Sequence, residues 1–361
     1  MIRLIQGDAG AFFDAPFNAY PADSFYVSPM RADVLRMLDR AKNPLLAGGN
    51  PHGFWTAHRN GRPIGRIIAL VHRESNTRHG TNRCQFGFFD CADDGEAAAA
   101  LLGAAEAFAR DQGCDEIIGN FNLTAMQQAG VQTGGFGKPA FTDMIANPPH
   151  IPRLLEANGY VATFPMTTFE LDVADAPSVP RPVPAGYAFT PIAKADFAAR
   201  MEEARAVLND GFDRNPMFVP LTAEEFRFQA GEMMAILDPR LSSVLTHDGR
   251  PVGVIVCIPD LNGFMAATRS RISWRTPFQF LRYRLNRKRA VIIFYSVARA
   301  EHGRGLMGAM LARLIANLRD GGYTRLGITW IADGNAASLR QMERLGAKPL
   351  HRTHLFAKAL A

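Results

Sequence analysis

The stretch AVIIFYSVARAEHGRGLMGAMLARLIANL, residues 290–318, decides how this chain is read. Residues 290–298 form a short apolar run that reads as a strand, and from Leu306 the apolar residues recur at helical spacing. Between them, Gly303 and Gly305 flank Arg304. Glycine there lets the backbone take positive φ and come close to a ligand. The first amides of a helix have no internal partners, and its dipole favours an anion beside them. Arg299, His302 and Arg304 add positive charge and donors. The segment is therefore either a pyrophosphate cradle built as strand–turn–helix or a plain strand-to-helix turn.

A second strand follows at 325–331, then Asp333-Gly-Asn-Ala-Ala-Ser-Leu and a helix ending at Leu345-Gly346. With these residues in view, Val297-Ala-Arg-Ala-Glu-His-Gly-Arg-Gly-Leu-Met resembles the acyl-CoA-binding turn of the GNAT N-acyltransferases, usually V-x-P-x-x-R/Q-G-x-G-x-G/A. Asn335-x-x-Ser338 through Leu345-Gly346 is similar to that family's N-x-x-A…Y-x-x-x-G-F segment. The chain departs from the pattern at Arg299, His302 and Met307, where Pro, Arg or Gln, and Gly or Ala are usual. Met342 stands in the place of a tyrosine that often serves as general acid.

The resemblance implies acyl-CoA as co-substrate, with no metal and no permanently bound cofactor. It implies CoA contacts at Val297, Arg299, His302, Gly303, Arg304, Gly305, Leu306, Met307 and Asn335. Strand 292–298 would pair with the pantetheine arm, and amides near Val297 would face the thioester oxygen. The chemistry is attack of a neutral amine on a thioester, which needs positioning, removal of a proton and oxyanion stabilisation. Tyr295, His302, His351 and His354 are the candidates for proton transfer, with Tyr295, His302 and His354 placed in the catalytic set.

The first half of the chain repeats the plan of the second. Asn60-Gly-Arg-Pro-Ile-Gly-Arg-Ile-Ile parallels Asp248-Gly-Arg-Pro-Val-Gly-Val-Ile-Val, and Asn-Gly is a strong hairpin signal. Arg110-Asp-Gln-Gly-Cys parallels Arg319-Asp-Gly-Gly-Tyr, and Leu155-Glu-Ala-Asn-Gly159 parallels Met342-Glu-Arg-Leu-Gly346. Three matches in one order argue for an internal duplication. The expected fold class is α/β, with two tandem GNAT-like domains, each a mixed, mostly antiparallel sheet flanked by helices. The expected boundaries are 1–173 for the first domain, 174–186 for a Pro-rich linker and 187–361 for the second domain. Where the second half has Arg299-Ala-Glu-His-Gly-Arg-Gly, the first has Asp90-Cys-Ala-Asp-Asp-Gly-Glu. Carboxylates there would satisfy a helix dipole themselves and repel a pyrophosphate, so the CoA turn of the first domain reads as degenerate. Near the N-terminus, Ser28 reads as the cap of a helix with Pro29 first.

At 361 residues, 47% hydrophobic and 20% charged, the chain has the composition of a globular protein with room for two cores. No apolar run approaches the roughly 18 residues of a membrane span, and the N-terminus shows no signal-peptide pattern. Cys84, Cys91, Cys114 and Cys257 lack metal-site spacing and read as free thiols.

The net charge of +6 is concentrated. Arg269, Arg271, Arg275, Arg282, Arg284, Arg287, Lys288 and Arg289 fall in one segment without Asp or Glu. This segment, 260–289, reads as an insertion between two strands. Thr276 and Pro277 can open a helix that puts Phe278, Leu281 and Leu285 on one side, with Trp274 just ahead, while Arg275, Arg282 and Arg289 recur at sevens. Such a basic amphipathic helix fits an anionic membrane surface; an ordinary packed helix with a solvated arginine face is the alternative. Nucleic acid is not expected, for want of a second basic element and a stacking platform.

Residues 208–226 and Phe86-Gly-Phe-Phe-Asp-Cys are similar to a bacterial subfamily of tandem GNAT proteins that includes the bacterial ceramide synthases. The resemblance implies an N-acyltransferase moving a long acyl group from acyl-CoA to a lipid amine such as a sphingoid base. The protein would then be cytoplasmic and peripherally associated with the inner membrane through Trp274, Arg275, Phe278, Leu281, Arg282 and Leu285. Acetyl transfer to a small soluble amine and a non-catalytic lipid- or CoA-binding role are the competing readings.

Overall fold

The structure is a computed structural model that describes residues 1–360 apart from 125, 127, 178–181, 214 and 232. The middle of the expected linker, 178–181, thus lies outside the described residues. The chain divides into two compact units. The N-terminal unit comprises Met1–Thr167, Asn262–Phe280 and His351–Ala361, and the C-terminal unit comprises Thr168–Leu261 and Leu281–Leu350. Part of the basic insertion and the end of the chain therefore cluster with the N-terminal unit, which sequence order alone does not suggest.

In the N-terminal unit the strands are β1 (Arg3–Gln6), β2 (His52–Arg59), β3 (Arg62–Leu70), β4 (Arg83–Cys91), β5 (Glu116–Gly119) and the short β6 (Val131–Gly134). The strand β7 (Val161–Asp172) leads out of it. The C-terminal unit adds β8 (Tyr187–Pro191), β9 (Ser243–His247), β10 (Arg250–Pro259), β11 (Arg289–Val297) and β12 (Arg325–Ala332), and β13 (Lys348–Ala359) ends the chain.

The sheet of the N-terminal unit runs β1-β2-β3-β4-β5-β13, with β6 also on β13. That of the C-terminal unit runs β7-β12-β11-β10-β9-β8. Each unit's sheet thus ends on a strand from the other half of the sequence. In each, the only parallel pair among the registers given is an inner one: β4 with β5, and β11 with β12. Both ladders stop after four pairs, at Phe86↔Gly119 and at Ile292↔Ile328. Both β4 and β11 carry a bulge against the preceding strand. The two hairpin turns also agree, with positive φ at Asn60 and Gly61 and at Asp248 and Gly249, as a two-residue primed turn requires. The duplication read from short sequence echoes is thus visible in the backbone.

Alternation sets the core. Ile67, Ala69 and Val71 of the β3 region face the helices Gly95–Asp111 and His150–Ala157, while Ile68 and Leu70 join Phe12, Phe13, Val34 and Leu46 on the other face. In the C-terminal unit, Leu306, Met310, Leu314 and Leu318 bring one stripe of the helix Leu306–Asp320 onto Ile255, Ile292 and Ile328. The four cysteines are buried and free, and burial pushes the thiols of Cys84 and Cys91 up to about 12. Among the described residues no helix is long and apolar enough to cross a membrane.

Ser28 does not cap the helix expected after it. That helix begins at Arg31, because a tertiary contact replaces the local one. The Ser28 carbonyl accepts from Ser270 Oγ at 2.6 Å, and the Arg31 amide donates to the Ser270 carbonyl at 2.8 Å.

One buried polar network anchors the N-terminal unit. Arg66, 1% exposed, donates from Nε to Asp90 at 2.8 Å, to the Phe12 carbonyl at 3.1 Å and to Tyr26 at 2.8 Å. Its guanidinium carbon lies 5.0 and 5.1 Å from the ring centroids of Phe12 and Phe88, and Tyr20 donates to the other Asp90 oxygen at 2.6 Å. Removing one member of a buried pair strands the other charge, a loss of about 3–5 kcal/mol. Asp90→Ala should lower the first urea midpoint accordingly, whereas an unchanged midpoint would show that water reaches Arg66.

Candidate active site

The site builds outward from the end of β11. The chain passes from Val297 through a short 3-10 turn, Arg299–Glu301, to His302, Gly303, Arg304 and Gly305, and the helix Leu306–Asp320 begins. Gly303 and Gly305 have φ of +83° and +75°, and a Cβ at either would meet nothing within 4 Å. Glycine is needed here for the backbone conformation and not for crowding. Gly305 caps the helix without a side chain, so no side-chain oxygen takes the first amides. That leaves them available to an anion.

The turn's positive charge is largely spent within the protein, contrary to the sequence expectation. Arg299 is bound through its amide and Nε to Asp210, at 2.7 and 3.1 Å, and through its guanidinium to Asp213 at 3.0 Å. Arg304 meets Glu301 at 3.2 Å and the Tyr187 hydroxyl at 3.0 Å. Glu301 also accepts from Tyr187 and contacts His247 Nδ1 at 3.1 Å, and the rings of Tyr187 and His247 stack 4.1 Å apart. These bonds hold the Glu301 carboxyl below its usual range, the Tyr187 hydrogen bond foremost. Three carboxylates thus face two guanidiniums. The carboxylates hold the turn, and the helix amides remain as donors that no side chain takes.

His302 Nε2 lies 3.0 Å from the Val297 carbonyl, which can only accept. Nε2 therefore carries a hydrogen, and Nδ1 is the other ring nitrogen, turned away from that carbonyl. Leu306 is buried in the core and Met307 is half-buried against it. Asn335 caps the helix Ala336–Leu345 by accepting from the Ser338 amide at 3.1 Å. Met342 is fully buried, so the position a tyrosine takes in the family pattern is here a packing position.

Beyond Ile328 the β12 edge no longer pairs with β11 in the register given, although β11 runs on to Val297. Tyr295 lies on that free stretch. Its hydroxyl is buried without a partner of hydrogen-bonding geometry; burial pushes its pKa up, and the Ser338 side chain only partly offsets this. The backbone on the far side is close: a Cβ at Gly211 would sit 1.9 Å from Ser296 Oγ. The end of the helix Phe197–Gly211 is therefore pressed onto β11 just where Asp210 holds Arg299.

The corresponding gap in the N-terminal unit is closed. The Asn122 and Asn120 side chains accept from the amides of Phe88 and Phe89 at 2.8 and 3.0 Å. In the C-terminal unit, among the described residues, no side chain takes the amides of 294–297. The helix Gly95–Asp111 is self-capped: Asp94 accepts from the Ala97 amide at 3.1 Å and pairs with Arg59 at 2.8 Å, and Glu96 also binds Arg59 at 2.8 Å.

The turn residues, Tyr295 and Asn335 belong to the C-terminal unit. His351 and His354 belong to the N-terminal unit, where His351 Nε2 donates to the Lys138 carbonyl at 3.0 Å and His354 Nδ1 lies 2.7 Å from Thr133 Oγ1. Sequence reading missed the roles of Asp210, Asp213, Tyr187 and His247. Their only signal was the Asp210-Gly-Phe-Asp213 stretch, far from the turn in sequence.

With this geometry in place, comparison with known proteins is direct. Residues 208–347 match the Acetyltransferase (GNAT) family. Protein YghO of Escherichia coli strain K12 is 28% identical over 99% of this chain and 94% of its own length. The Bacterial ceramide synthase of Caulobacter vibrioides is 26% identical over 97% of this chain and 94% of its own. Among solved structures, a tandem GNAT protein from the clavulanic acid biosynthesis pathway shares the fold with TM-score 0.62 at 16% identity, over 100% of this chain and 99% of that one. A GCN5-related N-acetyltransferase from Sphaerobacter thermophilus does so with TM-score 0.57 at 14% identity, over 99% and 96%. The chain thus has the fold of the tandem GNAT proteins, and its residues 208–347 match the acetyltransferase family.

Gly303→Val forces a β-branched residue to positive φ in open space. Relaxation of a strain of about 1–3 kcal/mol should turn the amides away and weaken CoA binding by roughly tenfold or more, and should lower the thermal midpoint without CoA by only a few degrees. Calorimetric titration with CoA is the measurement, and unchanged affinity would remove the turn from the site.

Proposed function

We propose that this N-acyltransferase moves a long acyl group from acyl-CoA to the amine of a lipid, with a sphingoid base as acceptor. One observation carries the lipid half of this reading. The helix Thr276–Asn286 buries no residue, and Trp274, Phe278, Leu281 and Leu285 are 76%, 70%, 56% and 77% exposed, with Ile272 at 76%. Exposed apolar residues joined in one stripe mark a docking surface. Arg275, Arg282 and Arg284 are exposed around it. The relative in Caulobacter vibrioides, named a ceramide synthase, supports the same acceptor class.

The basic cluster is smaller than its sequence suggests. Arg271 pairs with Asp14 at 2.5 Å, Arg287 with Asp238 at 2.8 Å and Arg289 with Asp260 at 2.6 Å. The membrane-facing charge in this reading is Arg275, Arg282 and Arg284, helped by Lys288. Each is worth on the order of 1 kcal/mol near an anionic leaflet, enough with the apolar stripe for reversible, peripheral association with the inner membrane from the cytoplasmic side.

In the proposed reaction the CoA pyrophosphate sits on the amides that open the helix Leu306–Asp320, with Val297, Arg299, His302, Gly303, Arg304, Gly305, Leu306, Met307 and Asn335 around the cofactor-binding turn. The pantetheine arm lies along the free stretch of β11. A primary alkylamine titrates near 10, like lysine, so it must lose a proton before attack; His302 Nδ1 is the candidate acceptor. The amine nitrogen then attacks the thioester carbon, and the carbon–sulfur bond breaks as the nitrogen sheds a second proton to solvent and the amide forms; a solvent proton later restores the Tyr295 hydroxyl. The thiolate takes a proton from Tyr295, which its raised pKa keeps protonated at neutral pH. His354 is held by Thr133 in the N-terminal unit, and the proposal places no step on it. The N-terminal unit binds no CoA in this reading, since Asp94 caps its helix and Asn120 and Asn122 fill its strand gap.

Thiol release from palmitoyl-CoA and acetyl-CoA, with and without a sphingoid amine, tests the reaction. Amine-dependent release from palmitoyl-CoA with an amide product by mass spectrometry is the expected result. Turnover of acetyl-CoA alone would establish the small-amine enzyme instead, and CoA binding without turnover would favour a binding protein. Tyr295→Phe should lower kcat by roughly 10²-fold or more, the usual size of a general-acid contribution, with KM for acyl-CoA unchanged. Because burial raises the tyrosine pKa, activity that depends on its proton should persist to at least pH 10 (about the reference value) and fall only above it. Arg282, Arg284 and Lys288 changed together to Glu should release the protein from anionic vesicles; unchanged partition would overturn the membrane reading.

A further inference from the structure

The N-terminal unit contains a cavity of about 380 Å³ that the acyl-transfer chemistry does not use. That volume falls within the range of small-molecule pockets, about 300–1,000 Å³. Two segments distant in sequence wall it: the chain from Pro16 to Ser28, and Met265, Ala266, Arg269 and Ser270 from the insertion. The walls are tied by the Ser270–Ser28 and Arg31–Ser270 hydrogen bonds. Phe17, Tyr20, Pro21, Tyr26, Val27 and Met265 give it an apolar and aromatic lining.

Polar groups make up about as much of the lining as apolar ones, and most of their side chains are engaged within the protein. The Tyr20 hydroxyl is bound to Asp90, and the Tyr26 hydroxyl accepts from Arg66. Ser270 Oγ donates to Ser28, and Ser28 Oγ donates to the Pro29 carbonyl at 3.0 Å. Among the described residues, Arg269 is the one charged side chain of the lining, and no carboxylate lines it. Arg269 is exposed, with its guanidinium carbon 5.4 Å from the Phe17 ring centroid, which leaves its five donors turned to no carboxylate. The neighbouring Asp14 is committed to Arg271, and Asp23 is exposed outside the lining.

The apolar stripe described above begins close to this wall in the chain. Ser270 closes one wall, and Ile272 and Trp274, each 76% exposed, follow it directly in the chain. An amphiphile held at that stripe therefore has an apolar slot within a few residues' reach.

We propose that this cavity is a binding site for a single-chain anionic lipid, its hydrocarbon tail between Phe17, Tyr26, Val27 and Met265 and its carboxylate or phosphate head on Arg269. The charge excludes the ammonium head of a sphingoid base, so this is a site separate from that of the amine acceptor. The assignment stands whether or not the C-terminal unit moves acyl groups.

Calorimetric titration of the full chain with dodecanoate below its micelle concentration is the test, with dodecyl phosphate, dodecylamine and dodecanol as companions. Saturable binding of the two anions, at least roughly tenfold tighter than dodecylamine, is expected, the size of one charge-assisted hydrogen bond. Arg269→Gln should erase that preference while leaving dodecanol binding unchanged, and Ala266→Trp, at an exposed wall position, should abolish binding of all four. Preference for one anion over the other tells a fatty-acid head from a phosphate head and supports the site either way. Binding lost in Leu281→Ser with Leu285→Ser but kept in Ala266→Trp would move the lipid to the helix stripe and overturn the proposal. Equal affinity for the amine, or no saturable binding, would also overturn it.

Discussion

Two parallel strands that pair for four residues and then part are the constraint on which this protein depends. Beyond Ile292↔Ile328, β11 runs on without its parallel neighbour. Backbone donors and acceptors on a strand edge must find partners, and the proposed acyl-CoA arm would provide some of them. The same parting brings the turn 299–305 and the N-terminus of the helix Leu306–Asp320 to the end of the free stretch. One backbone feature thus sets a strand edge beside a helix N-terminus, the two elements on which the proposed acyl-CoA site rests.

The N-terminal unit shows what happens when the same backbone is put to another use. Its β4 and β5 part after Phe86↔Gly119, but the Asn120 and Asn122 side chains satisfy the exposed amides. Asp94 and Glu96, tied to Arg59, occupy the helix N-terminus. The unit also holds a buried Arg66–Asp90–Tyr20 network and a cavity walled by aromatic and polar groups. A buried ion pair of this kind contributes little net stability, because desolvation offsets the attraction; what it fixes is the placement of the helix Ala9–Ala19 and the loop after it.

Charge illustrates the difference between sequence and structure most sharply. Eight basic residues without an acidic neighbour in sequence read as one positive patch. Three of them meet Asp14, Asp238 and Asp260, carboxylates that lie from 29 to 257 positions away. Arg299 and Arg304 likewise read as phosphate ligands, yet they are held by Asp210, Asp213 and Glu301. The apolar side of the same insertion was read correctly, because helical spacing is local while ion pairing is not.

The sequence by itself determined the elements, the duplicated hairpins and the strand–turn–helix, since period, turn residues and glycine positions act over a few neighbours. It also pointed to a class of chemistry, through the resemblance of Val297 to Met307 to the acyl-CoA-binding turn of the GNAT family. Only the tertiary structure decided that the last strand completes the N-terminal unit, that Ser270 displaces Ser28 from its capping role, and that the turn is braced by carboxylates. Each of these joins residues far apart in the chain, where pairing is set by packing and burial and leaves no periodic mark in the sequence.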